Sequence, residues 1–276
     1  MSKYLACTLL LLSGFAHANE PCKFEAPRNA TLDLAGIHTV AIQVHQHNIH
    51  LTGGAAATGG IHGRACASSQ PLLSGLQVVT HREGDRLVIE AKDSNSPFHG
   101  VSLFGNHYDY LDLQIDLPAS LAVDVEVGSG DAWVKNVAQL KGDVGSGDLD
   151  VAGVHGRFDA KVGSGDIRAS DVGETHVSSV SSGDFKVDQV HGNVTVGSVG
   201  SGDLTAERVQ GNVAINSVGS GDATARTVSG NVDVGSIGSG DLHVNGVGHN
   251  LHVASVGSGD VEHSGVAGKV NVPKSD

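Results

Sequence analysis

The chain of 276 residues carries 17 basic and 30 acidic side chains, a formal net charge of −13. An acid excess without a basic cluster is repelled by phosphates, which excludes nucleic acid and anionic membrane surfaces as expected partners and leaves divalent cations and basic surfaces. Glycine supplies 39 residues, near twice the usual share, and long stripes of 3.6-residue period are missing, so strands and tight turns are expected rather than helices.

Residues 1–18 read as a signal peptide. Lys3 gives the positive start, residues 5–15 form a short apolar run, and Ala16-His17-Ala18 is a small-x-small cleavage site. The mature chain is then expected to begin at Asn19 and to be exported, to the periplasm, the cell surface or the medium. No later stretch is apolar for long enough to make a membrane helix. Cys7 lies inside the apolar run rather than after it, the wrong place for lipidation. Cys22 and Cys66 are the only cysteines left after cleavage, and an oxidising compartment favours joining them. A disulfide closing so long a loop is worth roughly 4 kcal/mol in the chain-entropy model. Two buried free thiols are the alternative.

Residues 19–126 read as a β-rich N-terminal cap. Strand-like runs occur at 39–44 and 76–80, and Gly84-Asp85 separates the second from another at 86–90, the pattern of a hairpin. Residues 110–117 alternate cleanly and lead into the next region. In Val44-His45-Gln46-His47 two imidazoles would share a strand face and could chelate zinc, with His50 nearby. The spacing places no third ligand, and a solvated face is the preferred reading.

Residues 127–276 repeat themselves. Gly-Ser-Gly-Asp, once Ser-Ser-Gly-Asp, ends at Asp131, Asp148, Asp166, Asp184, Asp203, Asp222, Asp241 and Asp260, so the period settles at 19 residues. Within one unit, Leu204/Ala206 and Val213/Ile215 alternate with period two, and Gly-Ser-Gly and Gln-Gly-Asn supply turns between them. Stacked units align Val137, Val154, Val172, Val190, Val209, Val228, Val247 and Val266 in one column. They align Val127, Val144, Val162, Val180, Val199, Val218, Ile237 and Val256 in another. One coil cannot bury such a face, so its neighbours must. The expected fold is all-β: a right-handed parallel β-helix, or β-solenoid, of eight coils about 4.8 Å apart, with the cap on its first coil. A nested β-sandwich is the rival.

The aspartate column has two readings. Each carboxylate accepts backbone N–H groups inside its own turn, or the eight form a cation ladder for calcium. Trp133 points outward between Ala132 and Val134, either packed on the cap or exposed to a ligand. Asparagines 193, 212, 231 and 250 and serines 179, 198, 217, 236 and 255 form further columns that would pin register. A glycosidase needs two carboxyls in unlike environments, and a uniform column supplies none, so no catalytic residue and no cofactor is assigned.

The run Leu-Asp-Leu-Gln-Ile-Asp-Leu-Pro at 111–118, the sequence from Val125 to Asp131 and the recurring Gly-Ser-Gly-Asp coils resemble the putative-adhesin β-helical families of unknown function, including head-GIN-domain proteins of bacterial envelopes. The hairpin at 76–90 is similar to theirs. The resemblance implies a parallel β-helix, export and an adhesive role. The expected function is an exported, non-enzymatic scaffold or adhesin with an envelope polymer or protein as partner. Self-assembly through a bare final coil and a polysaccharide-active enzyme are the alternatives.

Overall fold

Six inward positions recur in each coil of the repeats. In the unit that begins at Leu204, the side chains of Leu204, Ala206 and Val209 are buried, then those of Val213, Ile215 and Val218, while the residues between them face outward. Before Val209 the backbone of Arg208 turns left-handed, at φ 51°, and residues 136, 153, 171, 189, 227, 246 and 265 do the same in their own coils. That step lets the strand bend at the corner and still return a valine to the core. A computed structural model describes residues 22–55, 58–93 and 108–274. The expected signal peptide and Cys7 lie outside them.

The N-terminal part comprises β1 (Phe24–Pro27), β2 (Ala30–Leu32), β3 (Thr39–Gln43), β4 (Asn48–Gly54), β5 (Gly59–Ala67), a short helix α1 (Gln70–Gly75), β6 (Gln77–Glu83), β7 (Arg86–Lys92) and β8 (Asp109–Pro118). The repeats then add two strands per coil: β9 (Ala122–Val127) and β10 (Asp131–Val137), β11 (Gln139–Val144) and β12 (Asp148–Val154), β13 (Phe158–Val162) and β14 (Asp166–Val172), β15 (Thr175–Val180) and β16 (Phe185–Val190). The later coils are β17 (Val194–Val199) and β18 (Leu204–Val209), β19 (Val213–Val218) and β20 (Ala223–Val228), β21 (Val232–Ile237) and β22 (Leu242–Val247), β23 (Leu251–Val256) and β24 (Val261–Val266), then β25 (Val270–Asn271). Even-numbered strands from β4 onward, apart from β6, join a 13-stranded sheet with β1, β2 and β5 at its far end. The remaining strands make a 12-stranded sheet. The β-solenoid expected from the period is therefore present, and both valine columns are in register from coil to coil.

The sheets do not stop at residue 127. β3 pairs in parallel with both β7 and β9, and β4 pairs in parallel with both β8 and β10. The first coil of the chain, β3–β4, thus lies inside the stack, between β7–β8 on one side and the repeats on the other. Inward columns run through it: Leu113, Ile49 and Ala132 are in register, as are Ile115, Leu51 and Val134. Capping is left to the antiparallel elements. β5 covers β8, and β6 forms the expected hairpin with β7 about Gly84-Asp85. Cys22 and Cys66 are joined, with Cα atoms 5.7 Å apart, and tie the start of β1 to β5.

At the other end the wall is open. Val261 and Val266 are half-buried and Val270 is 41% exposed, although each continues a column that is closed one coil earlier. Among the described residues no strand pairs with the outer edge of β24 or β25.

The turns set how closely coils approach. A Cβ on the second glycine of each Gly-Ser-Gly-Asp would stand 1.8–2.0 Å from a carbonyl oxygen of the coil below, for example Gly221 against Gly202. At the first glycine the distance is longer, 2.8 Å for Gly219. The coil with Ser181 in place of the first glycine keeps Gly183 in the second place. Gly221→Ala should therefore cost about 3 kcal/mol in urea unfolding, the upper range for overpacking. Gly219→Ser should cost less than about 1 kcal/mol. Equal losses at the two positions would contradict this account of the turn.

Candidate functional site

Residues that alternate with the core face outward in files, because adjacent strands are in register. On the 13-stranded sheet one file reads Gln114, His50, Trp133, Asp150, Arg168, Lys186, Thr205, Thr224, His243 and Glu262. The file beside it includes Lys135, Ala152, Ser170 and Asp188. Trp133 stacks on His50 with ring centroids 4.3 Å apart and planes 10° from parallel. Packing on the N-terminal coils, one of the two roles expected for Trp133, is thus present.

Trp133 has a second role in the geometry. It lines a groove of about 430 Å³ together with Lys135, Asp150, Arg168, Lys186 and Asp188. The groove exists because Asp150, Ala152 and Ser170 are short and stand between taller neighbours. Arg168 is anchored by Asp166 at 2.7 Å and lies 3.6 Å from Asp148, and Arg208 pairs with Asp188. Among the described residues no carboxylate pairs with Lys135 or Lys186. Of the groove's residues, sequence reading singled out Trp133 alone. The others were reachable by aligning the second and fourth residues after each ladder aspartate.

All eight aspartates from Asp131 to Asp260 stand in file, but their bonds run between coils rather than within their own turns. The Oδ1 of each of the first seven accepts the backbone N–H of the next aspartate at 2.8–3.3 Å. The self-contained Asx turn is corrected accordingly: the neighbouring coil offers the nearer donor. The asparagines use the same bond. Asn193, Asn212 and Asn231 each accept the next asparagine's backbone N–H and its side-chain Nδ2, and Asn250 accepts from Lys269. Serines behave otherwise, since Ser217 and Ser255 donate to backbone carbonyls of the preceding coil. Asp166 gives its second oxygen to Arg168, and that of Asp148 lies 3.6 Å from the same guanidinium. Among the described residues one group of three, Asp222, Asp241 and His243, brings a ligand atom from each within 4.8 Å of the others. His243 also lies 3.1 Å from Glu262 through Nδ1.

The zinc pairing considered for His45 and His47 does not form, and His47 is on no solvated face. Residues 44–47 are the corner between β3 and β4: His45 is exposed with φ 49°, whereas His47 is fully buried. His50 is committed to the stack on Trp133. The Nδ1 of His47 accepts the backbone N–H of Leu111 at 3.2 Å, which leaves the proton on Nε2, 3.0 Å from Asp93. Its carbonyl accepts the N–H of Asp131 and so begins the ladder. Burial holds this imidazole below its ordinary pKa, against the pull of Asp93 and Asp109.

The folded state therefore binds this proton less readily than the unfolded chain, whose histidine titrates near about 6.5. Stability from neutral His47 is complete above that pH and falls as the pH drops below it. Urea unfolding between pH 7.5 and 5 should show this loss, and His47→Gln, although less stable at pH 7.5, should have the flatter profile. Parallel profiles would remove His47 as the cause.

No curated protein matches the chain. Three solved structures show its similarity to other proteins. A putative cell adhesion protein of Clostridium sporogenes is 14% identical over 92% of this chain and 100% of its own, with a TM-score of 0.28. A putative adhesin of Parabacteroides distasonis is 10% identical over 90% and 97%, TM-score 0.39. A protein of the same organism called a putative lipid binding protein is 16% identical over 89% and 93%, TM-score 0.37. The sequence profile of one family, Toastrack DUF4097, matches residues 37–272, from ahead of the interleaved first coil to the open final one. That match takes in both sheets and nearly every described residue, and the chain belongs to the Toastrack DUF4097 family.

Proposed function

We propose that this chain is an exported, non-enzymatic, adhesin-like scaffold that holds an envelope polymer or protein on the outward face of its 13-stranded sheet. The observation that carries the reading is the groove beside the Trp133–His50 stack, where two unpaired lysines and an aromatic wall meet on a rigid sheet. The signal-peptide pattern and the Cys22–Cys66 pair support export. Each ladder aspartate up to Asp241 makes the same inter-coil hydrogen bond and none of the eight is buried, which supports a role without catalysis. Purified mature chain should co-sediment with isolated bacterial envelopes, and Trp133→Ala should lower the retained fraction at least fivefold. Wild-type protein that stays in the supernatant would overturn the reading.

In the same reading the aspartate file is structural. Neighbouring carboxylates one strand spacing apart repel by about 1 kcal/mol even in water, and the shared N–H bond offsets that cost. Asp222→Asn keeps the acceptor and removes the repulsion from both Asp203 and Asp241, as the asparagine file already does, so it should raise stability by about 1–2 kcal/mol. Asp222→Ala removes the same charge but also the acceptor of the Asp241 N–H, so it should be about 1 kcal/mol less stable than Asp222→Asn. Millimolar calcium should shift the melting temperature of none of the three proteins. A rise with calcium in the wild type that Asp222→Asn abolishes would establish a cation ladder instead.

A further inference from the structure

We infer that the groove between Trp133 and Arg168 seats one ring of a neutral polysaccharide. The inference rests on the reading of this face as the binding surface and names what it binds.

The argument begins with spacing. Trp133, Asp150 and Arg168 are in register on three successive strands, so the indole and Arg168 stand about 9.6 Å apart, two strand spacings. A flat ring held between two walls needs two van der Waals separations, about 7–8 Å, and a puckered pyranose slightly more. One sugar ring fits and two do not. The indole is already flat against His50 on one side, so its position is fixed before any ligand arrives, and its other face looks along the file over the short Asp150. An electron-rich indole face suits the weakly positive C–H face of a pyranose.

The polar groups suit hydroxyls. Asp150 accepts hydrogen bonds, Lys135 and Lys186 donate them, and Ser170, whose hydroxyl donates to the Val151 carbonyl, accepts; all four line the groove. Charge selects against the rivals. Arg168 is answered by Asp166 and Asp148, and Asp188 by Arg208, so what remains is two ammonium groups against Asp150. That near balance on a chain of net charge −13 gives a polyanion little reason to approach. A lipid tail would have to strip water from lysines and a carboxylate with nothing to replace it. A hydroxyl-rich, uncharged ligand replaces each of those water contacts.

Trp133 is the chain's one tryptophan, so its emission reports directly on a ring seated against it. Three neutral polysaccharides of different hexoses, a soluble glucan, a mannan and a galactan, should be titrated into the mature protein beside a polyuronate and a fatty acid. At least one neutral polymer should shift or quench the emission and retard the protein in affinity electrophoresis. Trp133→Phe should weaken that retardation less than fivefold and Trp133→Ala more. Asp150→Ala, which leaves the stack on His50 intact, should also weaken it at least fivefold. No response to any neutral polymer would overturn the inference, as would a response to the polyuronate or fatty acid alone. Envelope binding that persists with a silent tryptophan would sink the inference and spare the broader reading. Loss of envelope binding altogether would sink that reading as well.

Discussion

Backbones one strand spacing apart, coil upon coil, are the constraint from which the other features follow. A winding of 19 residues has too little surface to bury its own six inward side chains, and its neighbours close the core above and below. Holding that spacing through a turn demands a residue without a Cβ where carbonyl oxygen meets chain, the place of Gly221 and its counterparts. It also brings each ladder aspartate within reach of the next coil's N–H. Glycine and aspartate recur together because one makes room for the close approach and the other bonds across it.

Register that aligns valines inside aligns every other residue outside, so surface chemistry is written in files. Where a file holds like charges, as with the aspartates, the repulsion must be offset by hydrogen bonds. Where it holds unlike residues, it has relief. The short Asp150 between Trp133 and Arg168 is a depression made by sequence variation on a uniform lattice. Strands paired on both sides, as β12 and β14 are, hold such a depression in a fixed geometry, which suits binding more than chemistry that needs moving parts. The family assignment adds no ligand of its own, so the groove's chemistry carries the functional argument.

Much of this was legible in the sequence. The period gave the coils, period-two alternation gave the inward residues, and turn chemistry gave the corners. The pairing of Cys22 with Cys66 followed from the count of cysteines and the export expected for the chain. Three things were not legible, each for a physical reason. The interleaving of β3–β4 between β7–β8 and β9–β10 is a non-local pairing whose strands carry no repeat signature. The burial of His47 depends on a corner that strand alternation reads as strand. Asx turns and inter-coil bonds use the same donor and acceptor types, so residue identity could not choose between them. His50 beneath Trp133 was hidden with the interleaved coil, and half of the stacked pair went unseen.

Hydrogen exchange read by mass spectrometry tests the stacking most directly. If β3–β4 is an interior winding, amides of residues 39–54 should be protected as strongly as those of residues 194–218 in mid-stack. The open final winding, residues 261–271, should exchange much faster. Rapid exchange over 39–54, at the pace of the open end, would mean that those strands lie at an edge, and the stack as described would be wrong.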